Sequence, residues 1–187
     1  MIHYFVGEMC SGKTTVINSF KKEYLNNQKV KTIIVSDIVK GIIKKTDRSS
    51  LQNTNHLDQQ IFKNLLLNIK KASKVDHIII DGIRQLKILT QLIDSFTNKV
   101  PQFMYYVYTP QSIRRSRFEC QIINNCLKND GISFDEAEEN EKTLGIKEVI
   151  DFVENLLNNR LYDGTEESKR INLMSLSNET KLYRKEI

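Results

Sequence analysis

The chain has 187 residues, which is enough for one well-buried domain and too few for two of ordinary size. With 40% hydrophobic and 27% charged residues it has the composition of a globular protein, and no apolar run approaches the ~20 residues of a membrane span. A net charge of +5 allows a polyanionic partner, either nucleic acid or nucleotides, although paired lysines on helix surfaces explain much of the excess.

Four apolar, β-branched runs occur along the chain, and a segment with helical periodicity follows each of them. Strands are predicted over residues 2–6, 30–35, 77–80 and 103–108, and helices over 13–25, 37–45, 54–72, 84–96 and 111–127. This alternation predicts a three-layer α/β/α fold in which helices cover both faces of a parallel sheet. Ligands bind beyond the carboxyl ends of such strands, so chemistry is expected in the residues that follow each run.

The first predicted strand is followed by the letters GEMCSGKT at residues 7–14, which match the phosphate-binding loop pattern. Its two glycines let the backbone wrap around a triphosphate with the N–H groups pointing inward. Lys13 would reach the β- and γ-phosphates at the start of a helix, and the hydroxyl of Thr14 would ligate Mg²⁺. The predicted ATP-binding residues are Gly7, Glu8, Met9, Cys10, Ser11, Gly12, Lys13, Thr14 and Thr15.

The second predicted strand is followed by Ser36 and Asp37, which compete as the cap of the next helix. If the acceptor is a hydroxyl, Asp37 would take its proton as a general base. If the acceptor is a phosphate, Asp37 would instead orient the sugar or the metal shell. Arg48, in the polar stretch 46–54, would either clamp an acceptor anion or lie in an ordinary solvated loop.

Asp81 follows the third predicted strand, as the second acidic motif does in phosphate-loop proteins. There it would hold Mg²⁺ directly or through water, although an aspartate also starts many ordinary turns. Gly82 would allow a close turn. Arg84 would begin the next helix, either as a bidentate phosphate contact on the acceptor side or as a surface residue.

Three arginines, Arg114, Arg115 and Arg117, lie just after the fourth predicted strand. Arg114 and Arg117 share one helix face and would converge on the triphosphate in its transition state, as catalytic residues. Three unpaired cations repel each other, which favours a polyanionic partner over a purely structural role. An acidic group downstream would either pair with them or form a solvated helix face, and a surface face is preferred to a metal site because these residues circle the helix. The group comprises Asp135, Glu136, Glu138, Glu139 and Glu141.

In the rest of the chain, the sequence predicts a turn at 129–131 and an acidic helix over 134–144 that ends at Gly145. A helix over 146–157, a loop at 163–164 and a short final helix are predicted to follow. We expect one domain over residues 1–175, with a helical lid at approximately 111–145, and a basic tail over 176–187 whose composition favours disorder. His3, His56 and His77 are scattered, so no zinc site or nucleophile is predicted.

Together these motifs resemble small phosphate-loop nucleoside and nucleotide kinases, in particular the dephospho-coenzyme A kinase-like and phage deoxynucleoside monophosphate kinase groups. The resemblance covers most of the first 165 residues and rests on residues 7–14, 36–38, 81–85 and 144–146 and on the arginines after Pro110. It implies a P-loop NTPase fold, ATP as donor, Mg²⁺ as cofactor and a lid that closes on ATP. It also implies Asp37 as the base, and an adenine-side turn at 163–165 where Asp163 replaces the usual asparagine.

The acceptor stays open. A deoxynucleoside monophosphate fits the resemblance, which would make the protein an enzyme of nucleotide metabolism. Related phage enzymes phosphorylate the hydroxyl of 5-hydroxymethyluracil within DNA, and a basic chain with Asp37 as base fits that modification reaction too. A third alternative is an ATP-dependent regulatory switch; a GTP switch is disfavoured because the sequence has no Asn-Lys-x-Asp motif.

Three cysteines without paired spacing argue against a disulfide framework and for a reducing compartment. The sequence also shows no charged leader or signal cleavage site. We therefore expect a cytoplasmic protein without a membrane partner, in the host cytoplasm if a phage encodes it.

Overall fold

A computed structural model describes residues 1–44, 55–72, 74–123, 131–158 and 180–187. Its strands are β1 (Ile2–Val6), β2 (Val30–Ile34), β3 (His77–Asp81), β4 (Gln102–Tyr108) and β5 (Lys181–Glu186). They form one sheet in the order β2-β3-β1-β4-β5. The first four strands are parallel, whereas β5 runs antiparallel to β4. The sheet is therefore mixed, and the prediction of a purely parallel sheet is wrong.

The error comes from the carboxyl-terminal segment, whose many cations suggested a disordered tail. Its residues alternate between the two faces of the sheet, as a strand requires: Leu182 belongs to the hydrophobic cluster of Phe103, and Tyr183 packs against the larger cluster. The side chain of Leu182 is fully buried, and the guanidinium carbon of Arg184 lies 4.2 Å from the centre of the Phe103 ring. Burial of Leu182 and this cation–π contact favour the added edge strand over disorder.

Seven helices surround the sheet in the described ranges, together with a short 3₁₀ turn at Asn55–Leu57. They are α1 (Lys13–Tyr24), α2 (Val35–Ile43), α3 (Asp58–Lys71), α4 (Leu86–Phe96), α5 (Gln111–Ile123), α6 (Phe134–Thr143) and α7 (Ile146–Asn158). Among the residues described, no helix is both long enough and apolar enough to cross a bilayer.

Neighbouring residues of β1 belong to opposite faces of the sheet, because side chains alternate along a strand. Tyr4 contributes to the larger hydrophobic cluster, which includes residues of α3, α4 and α7. Phe5 contributes to the second cluster, with Val16 and Phe20 of α1. Helices therefore cover both faces, as the alternation of runs predicted, and the polar residues that follow the parallel strands meet at one edge.

Candidate functional site

The loop after β1 owes its shape to two glycines with different physical reasons. A Cβ on Gly7 would lie 2.5 Å from the carbonyl oxygen of Val107, so only glycine allows this close approach to β4. Gly12 has a φ of 87°, in the left-handed region that favours glycine, and it caps the amino end of α1. The loop therefore runs directly into a helix amino terminus, where backbone N–H groups attract anions.

Lys13 folds back onto this loop. Its Nζ donates hydrogen bonds to the carbonyl oxygens of Gly7, at 2.6 Å, and Glu8, at 2.8 Å. Burial lowers the pKa of the Lys13 amine, whereas the negative charge of Asp81 acts in the opposite direction. Thr14 and Thr15, in the first turn of α1, are exposed. The predicted phosphate-binding cation thus lies inside the loop and within the electrostatic influence of the predicted metal ligand.

Asp81 ends β3 and is in register with Phe5 of β1 and Ile34 of β2. Its Oδ1 is buried and has no hydrogen-bond partner among the described residues. Burial raises the pKa of the carboxyl group, against the pull of Lys13 and Arg84. A carboxylate oxygen buried without a donor is costly unless a cation reaches it, so the side chain fits a ligand of Mg²⁺.

In the described part of the chain, no three His, Cys, Asp or Glu side chains are grouped so that they could hold a metal ion. Magnesium at a phosphate site needs only one or two protein oxygens, because substrate phosphates and water supply the others. The oxygens of Thr14 and Asp81 meet that limited requirement by their chemistry.

A cleft of about 300 Å³, including its open mouth, lies between α2 and the segment after β3. Gly82 has a φ of 84°, which gives the predicted close turn. Arg84 lies before α4, which begins at Leu86, so the prediction that Arg84 enters the helix is wrong. Its Nη2 lies 2.8 Å from Glu141 Oε1. The lining residues are Val35, Ser36, Val39, Gly82, Arg84, Gln85 and Leu144.

Gly145 directly follows Leu144, one of the residues that line this cleft. A Cβ at this position would lie 3.0 Å from the carbonyl oxygen of Arg84, and the φ of 94° is in the left-handed region, so both the space and the backbone favour glycine. The residue separates α6 from α7, as predicted. Gly145 therefore brings the joint between these helices against the segment that carries Arg84.

Asp37 is placed differently from the prediction. The chain passes from β2 straight into α2, whose cap is Ile34, with no side-chain hydrogen bond. Neither Ser36 nor Asp37 caps the helix, because both lie within its first turn. The Asp37 carboxylate is exposed and lies 3.5 Å from Lys40 Nζ, whereas Ser36 lines the cleft. The structure therefore leaves Asp37 outside the cleft lining, and its role as a base stays a prediction.

Two of the three arginines of α5, Arg114 and Arg115, are paired with carboxylates, so the expectation of three unpaired cations is wrong. Arg114 is buried, and its Nη2 lies 3.0 Å from Glu8 Oε1 and 2.8 Å from Glu138 Oε1. Arg115 pairs with Asp135 on the surface. Acidic residues from α6 and from the loop neutralise the charges of Arg114 and Arg115, so these two arginines do not by themselves require a polyanionic partner.

Arg117 lies against the loop. Its Nη1 is 3.3 Å from the carbonyl oxygen of Cys10, and its Nη2 donates to Thr180 Oγ1 at 2.9 Å. The same Nη1 lies 3.2 Å from the position that a Cβ on Gly12 would take. Of the predicted pair of catalytic arginines, Arg117 therefore contacts the loop backbone, and Arg114 is held in a buried ion-pair network.

The preference for a solvated acidic face is wrong for two members of α6. Glu138 and Glu141 are buried, in line with Phe134 and Ala137. These four residues follow helical spacing, and that spacing was the signal that the carboxylates lie on the buried stripe. Glu136 instead belongs to a capping box with Ser133.

Met9 was predicted only as part of the ATP loop, but its side chain belongs to a small hydrophobic cluster. The cluster joins it to Phe118 of α5 and to Phe134 and Ala137 of α6. The side chain of Met9 thus packs against both α5 and α6, in addition to any contact that the loop backbone makes with a ligand.

His3 and His77, scattered in sequence, meet at the amino ends of β1 and β3, far from the loop along these strands. His3 Nε2 lies 2.8 Å from His77 Nδ1, and His3 Nδ1 lies 3.1 Å from the Tyr105 hydroxyl. The pair is part of the packing at the amino ends of the parallel strands, whereas the loop lies at their carboxyl ends. Arg48 and the predicted adenine-side turn at 163–165 lie outside the described residues.

No protein-family model matches the chain, and comparison with curated protein sequences gives no match either. Among solved structures, a chain of the Pnkp1/Rnl/Hen1 RNA repair complex is similar, with a TM-score of 0.52, 14% identity, and coverage of 79% of this chain and 45% of that one. A chain of a Pnkp1/Rnl/Hen1 complex gives a TM-score of 0.44 at 15% identity, with coverage of 62% of this chain and 38% of that one. This chain thus spans less than half the length of either matched chain. At 14% identity the first match shows a shared fold.

Proposed function

We propose that this protein is an ATP- and Mg²⁺-dependent phosphotransferase that moves the γ-phosphate of ATP to a nucleotide-type acceptor, with a deoxynucleoside monophosphate as the preferred class. The observation that carries the proposal is the buried, unpartnered Oδ1 of Asp81 beside the loop that holds Lys13, within the part of the chain that the structure describes. Such an oxygen favours a cation, and phosphoryl transfer needs a cation where a triphosphate is held.

On the donor side, the loop N–H groups and the amino end of α1 would bind the phosphates. The amine of Lys13 would exchange its two carbonyl partners for phosphate oxygens. Thr14 and Asp81 would hold Mg²⁺, which when bound neutralises charge on the phosphates. Arg117, already on the loop backbone, is the arginine of α5 best placed to contact the transferred group.

On the acceptor side, the described residues that line the cleft offer apolar walls and one cation. Val35, Val39 and Leu144 provide surfaces against which a base could pack, while Arg84 provides donors for an anion. Glu141 pairs with Arg84, so an acceptor phosphate would compete with that carboxylate. Apolar walls and a single cation suit a nucleoside monophosphate better than a highly charged small anion.

A second candidate, phosphorylation of the hydroxyl of 5-hydroxymethyluracil within DNA, is favoured by the exposure of Asp37. Its carboxylate is on a helix that borders the cleft, and it lies at the surface with Lys40. A base in a polymer could reach an exposed carboxylate more readily than a small acceptor seated in the cleft. Binding to DNA would weaken steeply with salt.

The test is transfer of label from γ-³²P-ATP with Mg²⁺ to parallel acceptors: deoxynucleoside monophosphates, dephospho-coenzyme A, and DNA with or without 5-hydroxymethyluracil. The Lys13→Ala variant, prepared in the same way, measures contaminating kinase. Label in a free nucleotide supports the proposal, and label in modified DNA supports the second candidate. Release of phosphate alone would indicate a regulatory ATPase, and no turnover with any acceptor would contradict all three functions.

A further inference from the structure

Two buried threonines connect the carboxyl-terminal strand to the loop. Tyr108 and Lys181 are partners in the antiparallel pairing of β4 and β5, so the residues just beyond them, Thr109 and Thr180, lie side by side. Their hydroxyl oxygens are 3.1 Å apart. Both residues are nearly inaccessible, at 1% and 3% exposure, so the loss of either hydroxyl partner would not be compensated by bulk water.

The donors and acceptors around these hydroxyls fix the direction of the hydrogen bonds. Thr109 Oγ1 donates to the carbonyl oxygen of Ser11 at 2.9 Å, which uses its single hydrogen. Thr180 must therefore donate to Thr109. Thr180 in turn accepts from Arg117 Nη2 at 2.9 Å. The result is an ordered chain of three bonds that runs from Arg117 through both threonines to the loop.

This chain of bonds orients the loop peptides. The carbonyl of Ser11 is held by Thr109, and the carbonyl of Cys10 by Arg117. A trans peptide is planar, and its N–H points away from its C=O, so a fixed carbonyl also fixes the N–H of the following residue. The protein contains no cis peptide in the described ranges. The directions of the Ser11 and Gly12 N–H groups therefore depend on Arg117 and Thr109, both of which are hydrogen-bonded to Thr180. The Ser11 N–H also donates to the carbonyl oxygen of Glu8 at 3.3 Å.

We propose that Thr180 is a positioning residue for the nucleotide site, and that through it the carboxyl-terminal strand is part of the phosphate-binding structure. The proposal rests on the proposed function, since it requires the loop to bind ATP. Because Thr180 is buried, its role would be to position other residues and not to touch the phosphates or the metal. It acts through Arg117 and Thr109, whose bonds keep the loop in its binding form before the ligand arrives.

The test compares Thr180→Val, which removes the hydroxyl at nearly constant shape, with Thr180→Ser, which keeps it. The matched control is Thr32→Val in β2 at the other edge of the sheet, because Thr32 Oγ1 is buried and has no hydrogen-bond partner among the described residues. The dissociation constant of a non-hydrolysable ATP analogue with Mg²⁺ should rise roughly tenfold in Thr180→Val, as expected for an unsatisfied buried partner. Thr180→Ser and Thr32→Val should retain the wild-type affinity.

Thermal unfolding of each variant separates this role from a purely structural one. A structural role would lower the melting temperature of Thr180→Val but leave its affinity for the analogue unchanged below that temperature, and this result would overturn the inference. Equal weakening in Thr180→Ser would overturn it too. If the wild-type protein does not bind the analogue, the proposed function fails as well, whereas normal binding by both wild type and Thr180→Val removes the inference alone.

A second measurement needs no variant. Coupling between two sites is reciprocal, so if Thr180 supports nucleotide binding, then nucleotide binding must stabilise the segment that carries Thr180. Amide hydrogen exchange over residues 180–186 should slow when the analogue and Mg²⁺ are added to the wild-type protein. Slower exchange in the loop with no change over 180–186 would overturn the proposal even if Thr180→Val failed to fold.

Discussion

Arg114 and Glu138 form a buried ion pair that joins α5 to α6, with 2.8 Å between Nη2 and Oε1. The same guanidinium reaches Glu8 in the loop, and Gln111 Nε2 donates to the second oxygen of Glu138 at 2.7 Å. Buried charges stabilise a fold only when their remaining polar atoms are also bonded. Arg114 Nε also donates to the carbonyl oxygen of Thr109 at 3.3 Å, whereas its Nη1 is buried without a hydrogen-bond partner among the described residues. One arginine thus joins α5, α6 and the loop, with one of its own donors left unsatisfied.

Replacement of Arg114 by methionine should destabilise the protein by about 3–5 kcal/mol, because the buried Glu138 and the half-buried Glu8 would lose the guanidinium that pairs with both. The measurement is the free energy of unfolding from urea titration. The control is Arg115→Met, which breaks the surface pair with Asp135 and should have a much smaller effect. Similar losses in the two variants would contradict the view that burial makes the Arg114 network important.

Replacement of Lys13 by alanine should lower kcat/KM for phosphoryl transfer by roughly 100-fold or more, the size of effect seen when a preorganised electrostatic contact is removed. The exposed Lys22, in the last turn of the same helix, provides the control variant Lys22→Ala. Steady-state assays and circular dichroism would be run in parallel. If the Lys13→Ala protein is folded and transfers phosphate at the wild-type rate, the assignment of a phosphate-binding loop is wrong.

Replacement of Asp81 by asparagine should separate stability from function. Burial raises the pKa of this carboxyl group, so the ionised form is disfavoured by the fold. A raised pKa means that the contribution to stability is present at low pH and is lost as pH rises through the folded-state pKa. At neutral pH, Asp81→Asn should therefore raise the melting temperature of the metal-free protein while reducing Mg²⁺-dependent turnover by roughly 100-fold.

The comparison uses thermal unfolding with and without Mg²⁺ and ATP analogue. Ligand should stabilise the wild type more than Asp81→Asn, because binding to the native state alone raises stability. A lower melting temperature for metal-free Asp81→Asn, together with unchanged turnover, would show that Asp81 is an ordinary turn residue. That was the alternative interpretation from sequence.

The sequence predicted the elements that depend on local periodicity. The four parallel strands, the loop glycines and the joint at Gly145 follow from apolar runs and from backbone conformations that only glycine adopts easily. The added strand β5 was missed because its partner β4 is more than seventy residues away in sequence, and alternation over six residues among cations is a weak signal. Strand pairing of that kind depends on tertiary packing.

The partners of the charged residues were less predictable. Arg114 and Glu138 are 24 positions apart, and which cation meets which carboxylate depends on how α5 packs against α6. The spacing of the apolar residues in α6 indicates which face of the helix is buried. Carboxylates also occur on that face, and carboxylates are usually exposed, so the sequence favoured a solvated face. The sequence left open whether the arginines of α5 pair with the carboxylates of α6, and the fold pairs Arg114 and Arg115. The same limit applies to Asp37, whose exposure depends on where β2 turns into α2.

Replacement of Asp37 by asparagine tests whether an exposed carboxylate serves the acceptor. As a general base, Asp37 should affect turnover by roughly 100-fold while the dissociation constant for ATP stays nearly unchanged. The control is Asp94→Asn, an exposed carboxylate on α4. An equal loss of ATP affinity would contradict an acceptor-side role, and wild-type turnover would remove the base assignment for whichever acceptor is found active.

Replacement of His3 by glutamine tests the buried histidine pair at the far edge of the sheet. Burial, with the nearby charge of His77 as a smaller cause, lowers the pKa of His3 to about 3. In the unfolded chain His3 therefore binds a proton as the pH falls through about 6.5, whereas in the folded chain it binds one only at a much lower pH. The contribution of His3 to the free energy of unfolding is therefore fully present above pH 6.5 and is lost as the pH falls towards 3.

Between pH 7 and pH 5 this single group should remove about 2 kcal/mol from the free energy of unfolding. Urea titrations at half-unit intervals of pH would measure the slope for the wild type, for His3→Gln and for the control His56→Gln, whose side chain is exposed. His3→Gln should be less stable at pH 7 because the bonds to His77 and Tyr105 are altered, yet its stability should depend less on pH. Parallel slopes in wild type and His3→Gln would mean that His3 takes up its proton in the folded state, and the packing at this edge would then have to accommodate an imidazolium.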